Sequence, residues 1–226
     1  MINDFGYIVS IWKNPDWTSN DIIKYVKYLI SPYKVGHAGT LDPFAEGVLI
    51  LCVGSMTKKV NEMMDCEKEY IAEIKLGKRT DSLDSTGKVS KIKKYIKPDT
   101  QVIIDILHKF KGEIEQIPPM FSALKKNGQR LYNLARKGIT IEREPRKVFI
   151  KDIKLISCSK NSIIINVKCG KGTYIRALAR DIAHLLKTEG YVEKLVRTKV
   201  GSFNEKNSIS VKDFKEWLLS QRHIQS

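Results

Sequence analysis

The sequence has no metal-binding or disulfide framework. Its four cysteines, Cys52, Cys66, Cys158 and Cys169, are widely spaced, and no Cys-x-x-Cys pair occurs. That spacing speaks against zinc and for a reducing compartment. His37, His108, His184 and His223 are just as scattered. Long hydrophobic runs are missing too. The apolar patch at residues 7–12 is broken by Ser10 and is too short for a signal-peptide core. A cytoplasmic location is therefore expected. Internal repeats and low-complexity linkers are also lacking. Acidic residues are scarce, 25 Asp+Glu against 40 Lys+Arg, giving a net charge of +15. Such an excess attracts polyanions over long range, nucleic acid foremost. No basic amphipathic helix with an aromatic face stands out, which disfavours a membrane surface as the polyanion.

What is present suffices for a folded core: 226 residues, 42% of them hydrophobic. Thr18-Ser19-Asn20 offers capping oxygens before Ile22, Ile23, Val26, Leu29 and Ile30, predicting an amphipathic helix ended by Pro32. Residues 48–53 read as a buried strand. Tyr70, Ala72, Ile74 and Leu76 alternate with Glu73 and Lys75, the period of a half-buried strand. Residues 88–98 read as a basic connector. A helix follows Asp99 and Thr100, with Val102, Ile103, Ile106, Leu107 and Phe110 facing inward and a stop near Gly112. Leu131, Leu134 and Ala135 mark a short helix. Strands are predicted near 147–157 and 162–169, and a helix runs from Thr173 to about Lys187. Mixed order with adjacent strands predicts an α/β (α+β) fold with a mixed, largely antiparallel central sheet and flanking helices.

The most unusual stretch is Gly36-His37-Ala38-Gly39-Thr40-Leu41-Asp42-Pro43-Phe44-Ala45-Glu46-Gly47. Glycines permit positive φ and close backbone approach, and Pro43 stiffens the chain beside Asp42. A rigid loop holding one carboxylate is a suitable mount for a nucleophile or base. By composition alone, a plain connecting loop with Asp42 capping a turn and His37 satisfied locally is the favoured reading. Gly170-Lys171-Gly172-Thr173 lacks the upstream glycine of a phosphate loop. Asp81, Asp84 and Gly87 are too sparse for a calcium loop.

The order of residues decides between these readings. Gly-His-x-Gly-Thr-Leu-Asp-Pro-x-Ala-x-Gly-Val-Leu closely resembles the catalytic motif of the TruB family, the bacterial tRNA pseudouridine-55 synthases. Lys68-Glu69-Tyr70, residues 76–81 with the turn at 84–87, residues 116–125 (QIPPMFSALK) and Lys171-Gly172-Thr173-Tyr174-Ile175-Arg176 resemble further family motifs in the family's order. The resemblance runs from about Val9 to Gly201. It implies the pseudouridine synthase fold, no cofactor, and base flipping of a uridine out of folded RNA. It also implies Asp42 as the catalytic carboxylate, either nucleophile or base toward the ribose, and Arg176 as a partner that favours its charged form. By the same resemblance, Tyr70 is expected to stack on the flipped base and to assist proton transfer from C5. Tyr174 is expected to line the same pocket, and His37 resembles the family histidine that takes the place vacated by the base. Leu195 matches a substrate-contacting leucine of the family by position and Lys13 is expected in the substrate-binding set, while Lys58, after Thr57, is expected as a phosphate contact. The partner implied is the T-arm stem-loop of tRNA, with no membrane and no obligatory protein partner, the chain acting as a monomer.

Departures from the family pattern fall at residues 13–20, where Asn14 and Asp16 stand in place of the usual Pro and Gly. Ala38 and Glu46 replace hydroxyl residues. Many bacterial relatives continue into a small RNA-binding PUA domain, and no such segment is recognisable, so residues 1–226 are expected to form a single catalytic domain. Two rival functions remain at this level: an RNA-binding or RNA-folding protein that has lost the chemistry, and a synthase acting on another RNA.

Overall fold

The structure, a computed structural model, describes residues 5–126 and 128–223. Strand β1 (Gly6–Lys13) leads into helix α1 (Ser19–Ile30), then β2 (Val35–Ala38), β3 (Glu46–Gly54), a 3-10 turn (Ser55–Lys59) and α2 (Val60–Asp65). Next come β4 (Lys68–Leu76), β5 (Lys78–Thr80), β6 (Val89–Ile92), α3 (Thr100–His108) and β7 (Gly112–Gln116). The hairpin β8 (Lys125–Lys126) and β9 (Gln129–Arg130), α4 (Leu131–Arg136), β10 (Arg146–Cys158), β11 (Ser162–Cys169) and α5 (Ile175–Leu185) follow. The chain closes with β12 (Gly190–Val200), β13 (Phe203–Asn204), β14 (Ile209–Ser210) and α6 (Phe214–His223). The architecture is mixed α/β, a large mixed sheet with flanking helices. It divides into two compact units, one from Met1–Tyr70 with Leu195–Ser226 and one from Ile71–Lys194.

In the first unit the strand order is β14-β1-β3-β12, with β2 also on β3 and β13 on β12. β1 pairs antiparallel with β3 and parallel with β14, and β12 runs parallel to β3. β3 is buried on both faces, so its apolar residues are continuous instead of alternating. Leu49, Leu51 and Val53 meet Val9 and Ile11 of β1, Ile22, Val26 and Ile30 of α1, and Phe214 and Leu218 of α6. Val48 and Ile50 point the other way, joining Ala38, Val200 and the half-buried Met63 and Phe203. Helix α1 begins with a full capping box: Thr18 Oγ1 accepts from the Asp21 amide, and Asp21 Oδ2 accepts from the Thr18 amide.

In the second unit β4, β11, β10 and β7 lie in that order, with β10 antiparallel to both β11 and β7. Helices α3 and α5 touch each other, and α3 packs on β10. Val102 was expected inward but is 44% exposed; the buried stripe of α3 is Ile103, Ile106 and Leu107. The basic connector at 88–98 is partly a strand, since β6 pairs antiparallel with β5. Among the described residues, no helix is long and apolar enough to cross a membrane.

Candidate active site

The glycine-flanked loop joins β2 to β3 within the first unit. Asp42 is half-buried and opens a turn in which the Ala45 amide donates to the Asp42 carbonyl at 3.1 Å, with Pro43 next in the chain. Proline's fixed φ suits that second turn position. The preceding carbonyls are held from below by buried side chains. Arg197, 1% exposed, donates to Gly39 O at 3.1 Å, to Thr40 O at 3.4 Å and to Val48 O at 2.7 Å. Ser19, 3% exposed, bonds both ends of Leu41: its hydroxyl accepts from the Leu41 amide at 3.0 Å and donates to the Leu41 carbonyl at 3.2 Å. Lys13 Nζ donates to Pro43 O at 3.1 Å, as well as to Asn14 O and Trp17 O, and the Asp16 amide also reaches Pro43 O at 2.9 Å.

Arg197 reaches the loop because Gly47 lets β12 approach β3. Gly47 pairs with Arg197 at φ 117°, and a Cβ built there would lie 2.2 Å from the Arg197 carbonyl oxygen. Only glycine fits. Lys13, expected among the substrate-binding residues, is fully buried and directs its ammonium at three carbonyls. Burial pushes its pKa down to about 8, Asp42 opposing the shift and Arg197 adding to it.

The other expected residues of this unit are placed as follows. His37 lies on β2 opposite Leu51, half-buried, and its Nδ1 has no hydrogen-bond partner among the described residues. Burial, with Arg197 nearby, lowers its pKa and favours the neutral ring. Tyr70 is buried on β4 and Leu195 is buried on β12. Lys58 is exposed on the 3-10 turn after β3.

Tyr174 and Arg176 belong to the second unit, at the start of α5. Arg176 is 4% exposed and donates to Ser82 O and Phe121 O, each at 2.8 Å. Its guanidinium lies 3.3 Å from Asp84 Oδ2. The other Asp84 oxygen accepts from the Ser82 hydroxyl and from the Thr86 amide and hydroxyl. Asp84 is thus fixed before Arg176 meets it. The Tyr174 amide donates to Gln116 Oε1 at 2.8 Å, so Gln116 ties the residue before α5 to the end of β7. Among the described residues, no group of three or more His, Cys, Asp or Glu side chains is placed to hold a metal ion.

Sequence reasoning passed over Ser19, Asp84, Gln116 and Arg197 as site residues. Ser19 stood only as a capping residue, whereas Thr18 is the N-cap. Arg197 shares the buried phase of β12 with Leu195, and an arginine there is the available signal.

The description "TruB family pseudouridylate synthase (N terminal domain)" matches residues 27–175, and "tRNA pseudouridylate synthase B C-terminal domain" matches residues 176–226. The chain is 44% identical over 209 residues to a tRNA pseudouridine synthase B of Clostridium tetani, covering 92% of this chain and 72% of that relative. It is 41% identical over 222 residues to the enzyme of the same name from Phocaeicola vulgatus, covering 96% of this chain and 94% of that one. Among solved structures, one from a Cbf5–Nop10–Gar1 complex matches with a TM-score of 0.74 and 25% identity, covering 99% of this chain and 57% of that chain.

Proposed function

The chain belongs to the TruB family and is a pseudouridine synthase acting on tRNA, and from that premise we propose that it converts uridine 55 of the T loop with Asp42, Tyr70 and Arg176 carrying the chemistry. The reaction breaks the N1–C1′ bond, turns the uracil and forms a C5–C1′ bond. The C5 proton leaves and N1 regains one, so the product is an isomer and no oxidant or energy source enters. Asp42 acts at the ribose, as nucleophile on C1′ or as base. Tyr70 supplies a ring face for the flipped base and a hydroxyl for proton transfer from C5. Arg176 supplies the positive charge, and its planar fork sets its orientation in a way that lysine would not. His37, Tyr174 and Leu195 receive the nucleoside and its surroundings, and Lys58 a phosphate. The T-arm stem-loop is the RNA element read.

The observation that carries this reading is the mounting of Asp42: one half-buried carboxylate on a loop whose backbone is fixed on both sides. Positional mapping of pseudouridine in tRNA treated with wild-type enzyme and with Asp42→Asn tests it. Wild type should place pseudouridine at position 55. The variant should place none, while its tRNA affinity stays within about fivefold, because phosphate contacts elsewhere supply most binding. Turnover by purified Asp42→Asn, or product at another position, contradicts the assignment.

A further inference from the structure

Five consecutive backbone carbonyls, from Gly39 to Pro43, are each engaged. Arg197 takes Gly39 and Thr40, Ser19 takes Leu41, the Ala45 amide takes Asp42, and Lys13 with the Asp16 amide takes Pro43. Three of the donors are side chains that are at most 3% exposed. They come from separate elements: Lys13 ends β1, Ser19 begins α1 and Arg197 lies on β12. Arg197 and Lys13 each make three bonds, all to backbone oxygens. Burying a cationic side chain is costly, and here the ammonium and guanidinium are committed to the backbone around one loop.

We propose that Ser19, Lys13 and Arg197 are positioning residues for the pseudouridine synthase reaction, together forming a clamp on the loop carbonyls that sets the Asp42 carboxylate. The inference rests on the reading of Asp42 given above. Ser19 is its most testable member. One hydroxyl imitates a backbone strand partner to Leu41, bonding both its amide and its carbonyl, and Leu41 is the residue immediately before Asp42. A shift of the carboxylate by about 1 Å is enough to cost on the order of a hundredfold in rate when geometry governs the chemical step. Lys13 and Arg197 hold the loop at its far and near ends, and together they place two positive charges beneath it.

The test compares Ser19→Ala with wild type and Asp42→Asn, by single turnover on a tRNA transcript at saturating enzyme, with affinity and thermal unfolding measured on the same preparations. Ser19→Ala should lower the saturated rate constant by about ten- to a hundredfold, with tRNA affinity within about threefold. A saturated rate constant within about twofold of wild type overturns the clamp, whatever the unfolding temperature, since a purely structural hydroxyl changes the folded fraction and not the rate of folded molecules. A fall in affinity that matches the fall in rate overturns it as well. Hydrogen exchange in the wild type gives an independent check: the Leu41 amide should exchange far more slowly than exposed loop amides. Exchange as fast as theirs overturns the clamp even if Ser19→Ala does not fold. Asp42→Asn separates the two ideas. If it is inactive while Ser19→Ala is unimpaired, the clamp fails alone; if it turns over, the assignment of Asp42 fails.

Discussion

Asp16 occupies the left-handed region at φ 69°, where a Cβ is crowded by its own backbone. The family pattern that the sequence resembles implies a glycine at this position, and the backbone conformation accounts for such a preference. The Asp16 amide must reach the Pro43 carbonyl, and the turn that aims it there needs a positive φ. Aspartate tolerates this conformation better than most residues, so the departure is a strain and not a break. Asp16→Gly should therefore be more stable than Asp16→Ala by about 1 kcal/mol. Both variants remove the carboxylate beside Lys13, so the comparison isolates the backbone. Urea unfolding of the two proteins measures it, and equal midpoints would mean that the turn is not strained. At this scale the sequence was partly readable. Asp42 stood out because a contiguous motif surrounds it, whereas Arg197 and Ser19 act on residues far away in the chain.

Where α5 begins, Arg176 is held by a turn that lies before α3 in the chain. The Ser82 and Thr86 hydroxyls and the Thr86 amide orient Asp84, and Asp84 meets the guanidinium in a site where both side chains are almost fully buried. Removing the negative charge beside a buried cation is costly even when the shape is kept. Asp84→Asn should lower unfolding stability by roughly 3 kcal/mol, read as a lower midpoint in urea; an unchanged midpoint would show that the pair contributes nothing. The motif at 80–87 looked like a failed calcium loop in sequence because its carboxylate serves an arginine, not a cation from solution. Elements with clean periodicity, α1, β4 and α5, were legible for the same reason that they fold locally: one apolar face and a clear start. β12 was not. Lys194 and Arg197 interrupt its apolar residues, and Arg197 is buried for the loop's sake. Val102 misled because it is adjacent in sequence to the buried stripe of α3, yet one residue turns about 100° around the helix. β6 hid in a lysine-rich stretch because its four residues are all exposed, and its two apolar ones, Val89 and Ile92, do not alternate along one buried face.

For the molecule as a whole, the excess of 15 positive charges is the property that RNA meets first. If roughly 5–8 phosphates are neutralised on binding, log affinity should fall against log salt with a slope of about −4 to −7. Titration of tRNA binding over a range of salt concentrations measures the slope. A flat response would place recognition in base contacts and shape instead of charge. The division of the chain has a different consequence, in the order of its making. The first unit is split in sequence: its opening strands precede the whole of the second unit, and β13, β14 and α6 come last. Arg197 follows Gly39, whose carbonyl it holds, by 158 residues. At roughly 5–20 residues per second, Asp42 is added to the chain about 8–30 seconds before that arginine. Throughout that interval the nascent chain carries the Asp42 carboxylate without the arginine that donates to the loop carbonyls around it. If the proposed clamp sets that carboxylate, competence to modify RNA waits for Arg197 and is not acquired when the motif first emerges.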